Sequence, residues 1–139
     1  MARKDIYYKT VVKALDRDNW KVTDDPFQVQ VGKKRLAMDL GAERLISAEK
    51  GTRKIVVEIK SFVSRSDVKD LQQALGQYMM YHQVLVEQNI QRELYLAIPR
   101  RAYETIFQDE LGQILLRNAL LRLFVFDEIA EVIVKWVPD

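Results

Sequence analysis

The stretch Met38–Lys60, MDLGAERLISAEKGTRKIVVEIK, reads as strand, turn, strand. It ends on Ile55–Lys60, a run that is apolar except where charge intrudes at Glu58 and Lys60. Side chains alternate between faces along a strand, so Ile55, Val57 and Ile59 point one way and Val56, Glu58 and Lys60 the other. An acid and a base on one face of an otherwise buried strand cost energy unless something pairs them. Asp39, on the preceding strand, is the third member of the group. Two readings of these residues stay open. One is an inter-strand salt bridge or a solvated edge. The other is a divalent-metal site.

Outward from that hairpin the chain reads as one α/β domain over residues 1–139. Apolar periodicity predicts a first helix over Asp5–Asp18, with Asp5 at its start. A short strand follows at Trp20–Thr23, a turn at Asp24-Asp25-Pro26, and an alternating strand at Phe27–Val31. Lys33, Lys34 and Arg35 open a strand expected to run unbroken through Asp39 to Gly41. Gly41 and Ala42 are expected to leave room beside Asp39 for a metal or phosphate. After the hairpin, a long helix is expected over Asp67–Gln88, capped by Ser64 or Ser66. Val68, Leu71, Leu75, Tyr78, His82 and Leu85 form its apolar stripe. Leu94–Pro99 is almost wholly apolar, as a strand covered on both faces must be. Strand, helix and buried strand form a crossover unit, so the two strands should be parallel. One or two helices, a strand at Leu121–Phe126 and a last strand at Val132–Trp136 complete a C-terminal β-hairpin.

Composition narrows the chemistry. The chain has 139 residues, 48% hydrophobic and 30% charged, with 22 basic and 20 acidic side chains. A net charge of +2 leaves a polyanionic partner open, because what matters is where the charges lie. The absence of cysteine removes disulfides, thiolate zinc sites and cysteine nucleophiles. No apolar run approaches the ~18 residues of a membrane span, and the N-terminus lacks a signal-peptide core. A cytoplasmic protein with no membrane partner is expected. The single histidine, His82, lies on the helical stripe and is expected to be a packed or half-exposed helical residue rather than a ligand. Without an arginine after it, it also fits a tyrosine recombinase poorly.

A hard cation such as Mg²⁺ or Mn²⁺ takes oxygen ligands, commonly one or two carboxylates with waters and phosphate oxygens. Asp39 and Glu58 can supply two such ligands and the Ile59 carbonyl a third. Lys60 is placed to orient a water or to offset charge at phosphorus. Glu43 and Glu49 are further acids of the hairpin, read mainly as solvated charges. Lys33-Lys34-Arg35, Arg53-Lys54 and Arg100-Arg101 are basic clusters at element ends, where loops can meet phosphates.

The element order and the Asp39, Glu58-Ile-Lys60 pattern resemble the PD-(D/E)xK, restriction-endonuclease-like superfamily. Within it the chain is similar to the XisH family, the excision-controlling factors of the fdxN element in heterocyst-forming cyanobacteria. The matching stretches are Lys4–Ile6, Asp18–Trp20, Met38–Glu43, Ser47–Lys50, Val57–Phe62, Ala74–Gln77 and Val132–Trp136. The resemblance implies a mixed β-sheet flanked by helices and a role in programmed DNA rearrangement, with DNA as partner. It also implies a companion of the XisI type and a separate recombinase. Nucleases of this fold often act as homodimers. On the superfamily pattern Asp39 matches the first acid and Glu58-Ile-Lys60 the Glu-x-Lys, which implies Asp39, Glu58 and Ile59 as metal ligands and Asp39, Glu58 and Lys60 as catalytic residues. Gln77 and Tyr81 resemble the Gln-xxx-Tyr of the RecB-like branch. In the first helix many superfamily members carry an acid, whereas this chain has Tyr7, Tyr8 and Lys9. Two functions follow: a Mg²⁺-dependent DNA endonuclease-like factor, or a catalytically silent accessory that controls a recombinase.

Overall fold

The computed structural model describes residues 5–118 and 121–138. Lys4, of the first matching stretch, lies outside them. The order is α1 (Tyr8–Arg17), β1 (Lys21–Asp24), β2 (Phe27–Val31), β3 (Lys34–Met38), β4 (Leu40–Ser47), β5 (Gly51–Ile59) and α2 (Asp67–Glu87). It continues β6 (Glu93–Pro99), α3 (Arg100–Thr105), α4 (Glu110–Arg117), β7 (Leu123–Asp127) and β8 (Val132–Val137). Six strands form one mixed sheet, β1-β4-β5-β6-β7-β8, and β2 and β3 pair separately. β5, β6 and β7 run parallel, joined by helical crossovers, and the other pairings are antiparallel. The expected α/β sheet, its parallel crossover and the C-terminal hairpin are all present.

The alternation read along β5 sorts the core into two layers. Ile55, Val57 and Ile59 pack with Val11, Leu15 and Trp20 beneath α1. Val56 joins Leu71, Ala74, Tyr78 and Tyr81 beneath α2. Ser66 caps α2, its hydroxyl accepting from the Lys69 N–H at 3.1 Å. Tyr78 ties that helix to the sheet: its hydroxyl donates to the Leu94 carbonyl at 3.1 Å and accepts from the Arg122 N–H at 3.2 Å.

Three expectations are corrected. The strand expected to pass through Asp39 is two strands: β3 pairs with β2, β4 with β1 and β5, and the chain bends at Asp39 as it changes sheets. The stripe of α2 is Leu71, Ala74, Tyr78, Tyr81 and Leu85, with Asp70 at its head; Val68 and His82 are exposed. Leu71, Tyr78 and Leu85 lie on the shared ridge, so the pattern was correct in period but turned to the wrong flank. His82 stacks outside on the Tyr78 ring, centroids 6.2 Å apart. Finally, the space at Gly41 is filled. A Cβ there would lie 2.7 Å from Asp24 Oδ2, 2.9 Å from the Phe27 ring and 3.0 Å from Arg92 Nη1. Close packing of β1 and the β2 start, rather than room for a ligand, requires glycine. No helix among the described residues is long and apolar enough to cross a membrane.

Candidate functional site

The bend between β3 and β4 brings Asp39 against the end of β5. Its carboxylate Oδ2 accepts the Ile59 N–H at 2.8 Å, while Glu58 Oε1 accepts the Asp39 N–H at 3.0 Å. Each carboxylate is thus anchored on the backbone of the other's segment. A strand residue's N–H and C=O leave from the same edge, so the Ile59 carbonyl is also directed to the Asp39 side. The two carboxylates meet at the bend where the chain passes from β3 of the two-stranded sheet into β4 of the six-stranded one.

Two carboxylates this close cannot both be charged cheaply. Burial, followed by the Asp39 charge, pushes Glu58 up to about 8. Burial also lifts Asp39 above the usual carboxylate range, against the bond from the Ile59 N–H. At neutral pH the pair therefore retains a proton, with the Glu58 carboxyl donating to Asp39. Tyr81, on the buried face of α2, is pushed up to about 12, first by burial and then by the Glu58 and Asp39 charges. Its hydroxyl stays protonated beside the pair. The donor set suits a hard dication, which would replace the shared proton and neutralise both carboxylates. Among the described residues no cluster of three or more acidic, histidine or cysteine side chains exists. A site here would therefore be a two-carboxylate site completed by backbone and water.

Lys60 follows on the α2 face, and its Nζ donates to Gln73 Oε1 at 3.0 Å and lies 3.7 Å from Asp70 Oδ1. Asp70, only 3% exposed, also accepts the Ser64 N–H at 3.2 Å, so it fixes both Lys60 and the β5–α2 loop. Gln77 is exposed, a turn before the buried Tyr81. The structure thus brings Asp39, Glu58 and Ile59 together and sets Tyr81 in their field. Lys60 is held toward the first turns of α2, and Gln77 faces solvent.

Asp70 and Gln73 were missed in the sequence. The signal for Asp70 was available: it occupies the position of the α2 stripe four residues before Ala74, where an acid needs a buried partner.

The remaining acids separate. Glu49 sits in the β4–β5 turn, at the far end of the hairpin from Glu58. Seven steps along the strand, roughly 23 Å, separate Leu40 from Ser47. Glu43 pairs across the strands with Lys54. Asp5 accepts the Tyr7 N–H at 2.9 Å and its charge reaches both Asp39 and Glu58, so an acid at the head of α1 does contribute field. Of the basic clusters, Arg101 donates to the Ser61 and Phe62 carbonyls and Arg100 pairs with Glu104 and Asp127. Both hold the fold. Lys33 and Lys34 stand exposed at the β2–β3 turn.

Comparison with known proteins gives a consistent answer. The family model described as XisH protein matches residues 1–134. An XisH family protein from Nostoc punctiforme PCC 73102 is 34% identical, over 96% of this chain and 99% of that one, with a TM-score of 0.84. An fdxN element excision controlling factor protein from Anabaena variabilis is 35% identical, with the same coverage and TM-score. No curated protein matches the chain. The fold, the family match over residues 1–134 and these two structures agree: the chain belongs to the XisH family.

Proposed function

We propose that the protein is an XisH-type factor in programmed, site-specific DNA excision, acting on phosphodiester bonds as a Mg²⁺- or Mn²⁺-dependent endonuclease-like protein. One observation carries this reading. Glu58 is buried beside the half-buried Asp39, the two carboxylates are cross-anchored on each other's backbone, and burial pushes both carboxyls up, so the charge of a cation is what the pair lacks to ionise fully. A salt bridge would have set Lys60 between them, yet its ammonium is bound by Gln73 and Asp70. Asp39, Glu58 and the Ile59 carbonyl would hold the ion. When bound, it would polarise the phosphate and acidify a water. The chain's own residues do the rest. The Ile59 and Asp39 N–H groups orient the two carboxylates, α2 excludes water from the Glu58 side, and Tyr81 keeps a neutral hydroxyl next to the pair. Lys60 supplies a cation on the Glu58 face of the strand for charge developing on a phosphate.

Plasmid nicking with Mg²⁺ or Mn²⁺ tests the proposal, comparing the native chain with Glu58→Ala and Lys60→Ala. Loss of nicking in both variants is expected; equal activity in all three proteins ends the catalytic reading. The engagement of Lys60 by Asp70 and Gln73 favours a second reading, in which the site is silent and the protein acts as an accessory to a separate recombinase with an XisI-like companion. DNA binding that survives both substitutions, with no cleavage by the native protein under either metal, is its signature.

A further inference from the structure

At the other end of the sheet, on the face that carries α1, a cavity of about 690 Å³ opens between Trp20 and Trp136. Arg44, Arg53, Glu93 and Arg122 line it, contributed by β4, β5, β6 and the residue before β7, in the order of the sheet. With strands about 4.8 Å apart, the row is roughly 14 Å long. Arg44 and Arg53 are direct cross-strand partners, a like-charge pairing that weakens a sheet.

The Arg53 guanidinium is preset for an anion. It lies 5.6–5.8 Å from the centroids of Trp20, Tyr95 and Trp136 and donates to the Tyr95 hydroxyl. Glu93 sits between Arg53 and Arg122, with one oxygen 3.0 Å from Arg53 Nη2 and the other 3.2 Å from Arg122 Nη1. Arg44 shares Asp18 with the Trp20 indole, at 3.4 and 3.1 Å. These ion pairs are close to half exposed, so they are weakly held and exchangeable.

We propose that this row is a phosphodiester-binding site, distinct from the Asp39–Glu58 pair, in which the backbone of a DNA strand crosses the ends of β4 to β7 and displaces Glu93 from its arginines. A repeating charge along a polymer matches a row of guanidiniums one or two strand spacings apart, and arginine takes phosphate oxygens in pairs. The site lies on the opposite face of β5 from Glu58 and five residues away along it, about 17 Å. It therefore anchors the polymer rather than the scissile bond. The inference rests on DNA being the ligand of this family member, and is independent of whether the chain cuts it.

Both tryptophans of the chain line the cavity, so intrinsic fluorescence reports on it directly. The full chain, in chelator without metal, would be titrated with a short oligothymidylate and, separately, with an oligoglutamate peptide. A saturable change in tryptophan emission is expected with the oligonucleotide, weakening as salt rises. In Arg44→Ala and Arg122→Ala the slope of log affinity against log salt should fall by about one each. Glu93→Gln should bind the oligonucleotide more tightly, a gain that a misfolded variant cannot imitate. Three results overturn the proposal: no emission change, arginine variants that bind as the native chain does, or oligoglutamate binding equally well. The last would make the row a receptor for an acidic protein. If nicking fails while the oligonucleotide binds here, only the cleavage reading falls. If nicking succeeds while these variants bind normally, only this one does.

Discussion

Glu58 illustrates how a single residue couples the site to the stability of the fold. Its carboxyl titrates at about 8 in the folded chain against an ordinary value of 4.5, because burial and the neighbouring Asp39 oppose its charge. Between those values the folded state keeps a proton that the unfolded chain has lost, so the free energy of unfolding falls as pH rises. The favourable contribution is complete below pH about 4.5 and is lost progressively up to pH about 8. Thermal melts in chelator, from about pH 5 to about pH 9, should show Tm falling over this window for the native chain. Glu58→Gln, neutral throughout, should flatten the slope. Added Mn²⁺ should restore the native Tm most at high pH, where both carboxylates are free to bind it. A flat native profile would mean that Asp39 and Glu58 are not crowded as described. Asp70 is the matching case on α2. Replacing it with alanine strands the Ser64 N–H and releases Lys60, so urea denaturation should show a loss of about 1–3 kcal/mol. A loss below half that would place Asp70 in solvent rather than in the Lys60 network.

Elements fix where those residues meet. The run Lys54–Lys60 was legible because a buried strand writes its two faces in alternation, and Ile55, Val57 and Ile59 do separate from Val56 and Glu58. The crossover through α2 was legible for the same reason: an apolar strand after a long amphipathic helix has few other places to go. The bend at Asp39 was not. Residues Leu36 to Gly41 alternate without a break in pattern, and only pairing partners far along the chain tell β3 to leave the sheet that β4 joins. The flank of α2 was equally hidden, since Leu75 and Ala74 suit a buried position about as well until the sheet selects one. Gly41 shows the cost of reading an element alone. It pairs with Val56 in β5 and lies against Asp24, Phe27 and Arg92, where Arg92 Nη1 also holds the Ile55 carbonyl at 3.0 Å. Gly41→Ala should therefore cost about 1–3 kcal/mol through overpacking, measured by the urea midpoint. A neutral result would restore the idea that glycine there keeps space for a ligand.

Over the whole molecule, the central sheet separates the carboxylate pair from the arginine row by face and by end. The carboxylate pair occupies the carboxyl end of β5 on the α2 side. The arginine row occupies the amino ends of β5 and β6 on the α1 side. Among the described residues no hydrogen bond or ion pair joins a side chain of one site to a side chain of the other, and the two sites border different core layers. Effects at sites more than about 7–10 Å apart without shared partners add to within about 0.5 kcal/mol. The double variant Glu58→Gln, Arg122→Ala should consequently change the unfolding free energy by the sum of the single changes. It should also combine two separate phenotypes: the flattened pH profile of the first and the weakened, less salt-sensitive oligonucleotide binding of the second. A double-mutant cycle in urea, run near pH 7, measures the coupling directly. An interaction energy above about 1 kcal/mol would show that β5 transmits strain between its ends. In that case, polymer bound at the arginines would act on the carboxylate pair through the strand, rather than by holding the DNA in place.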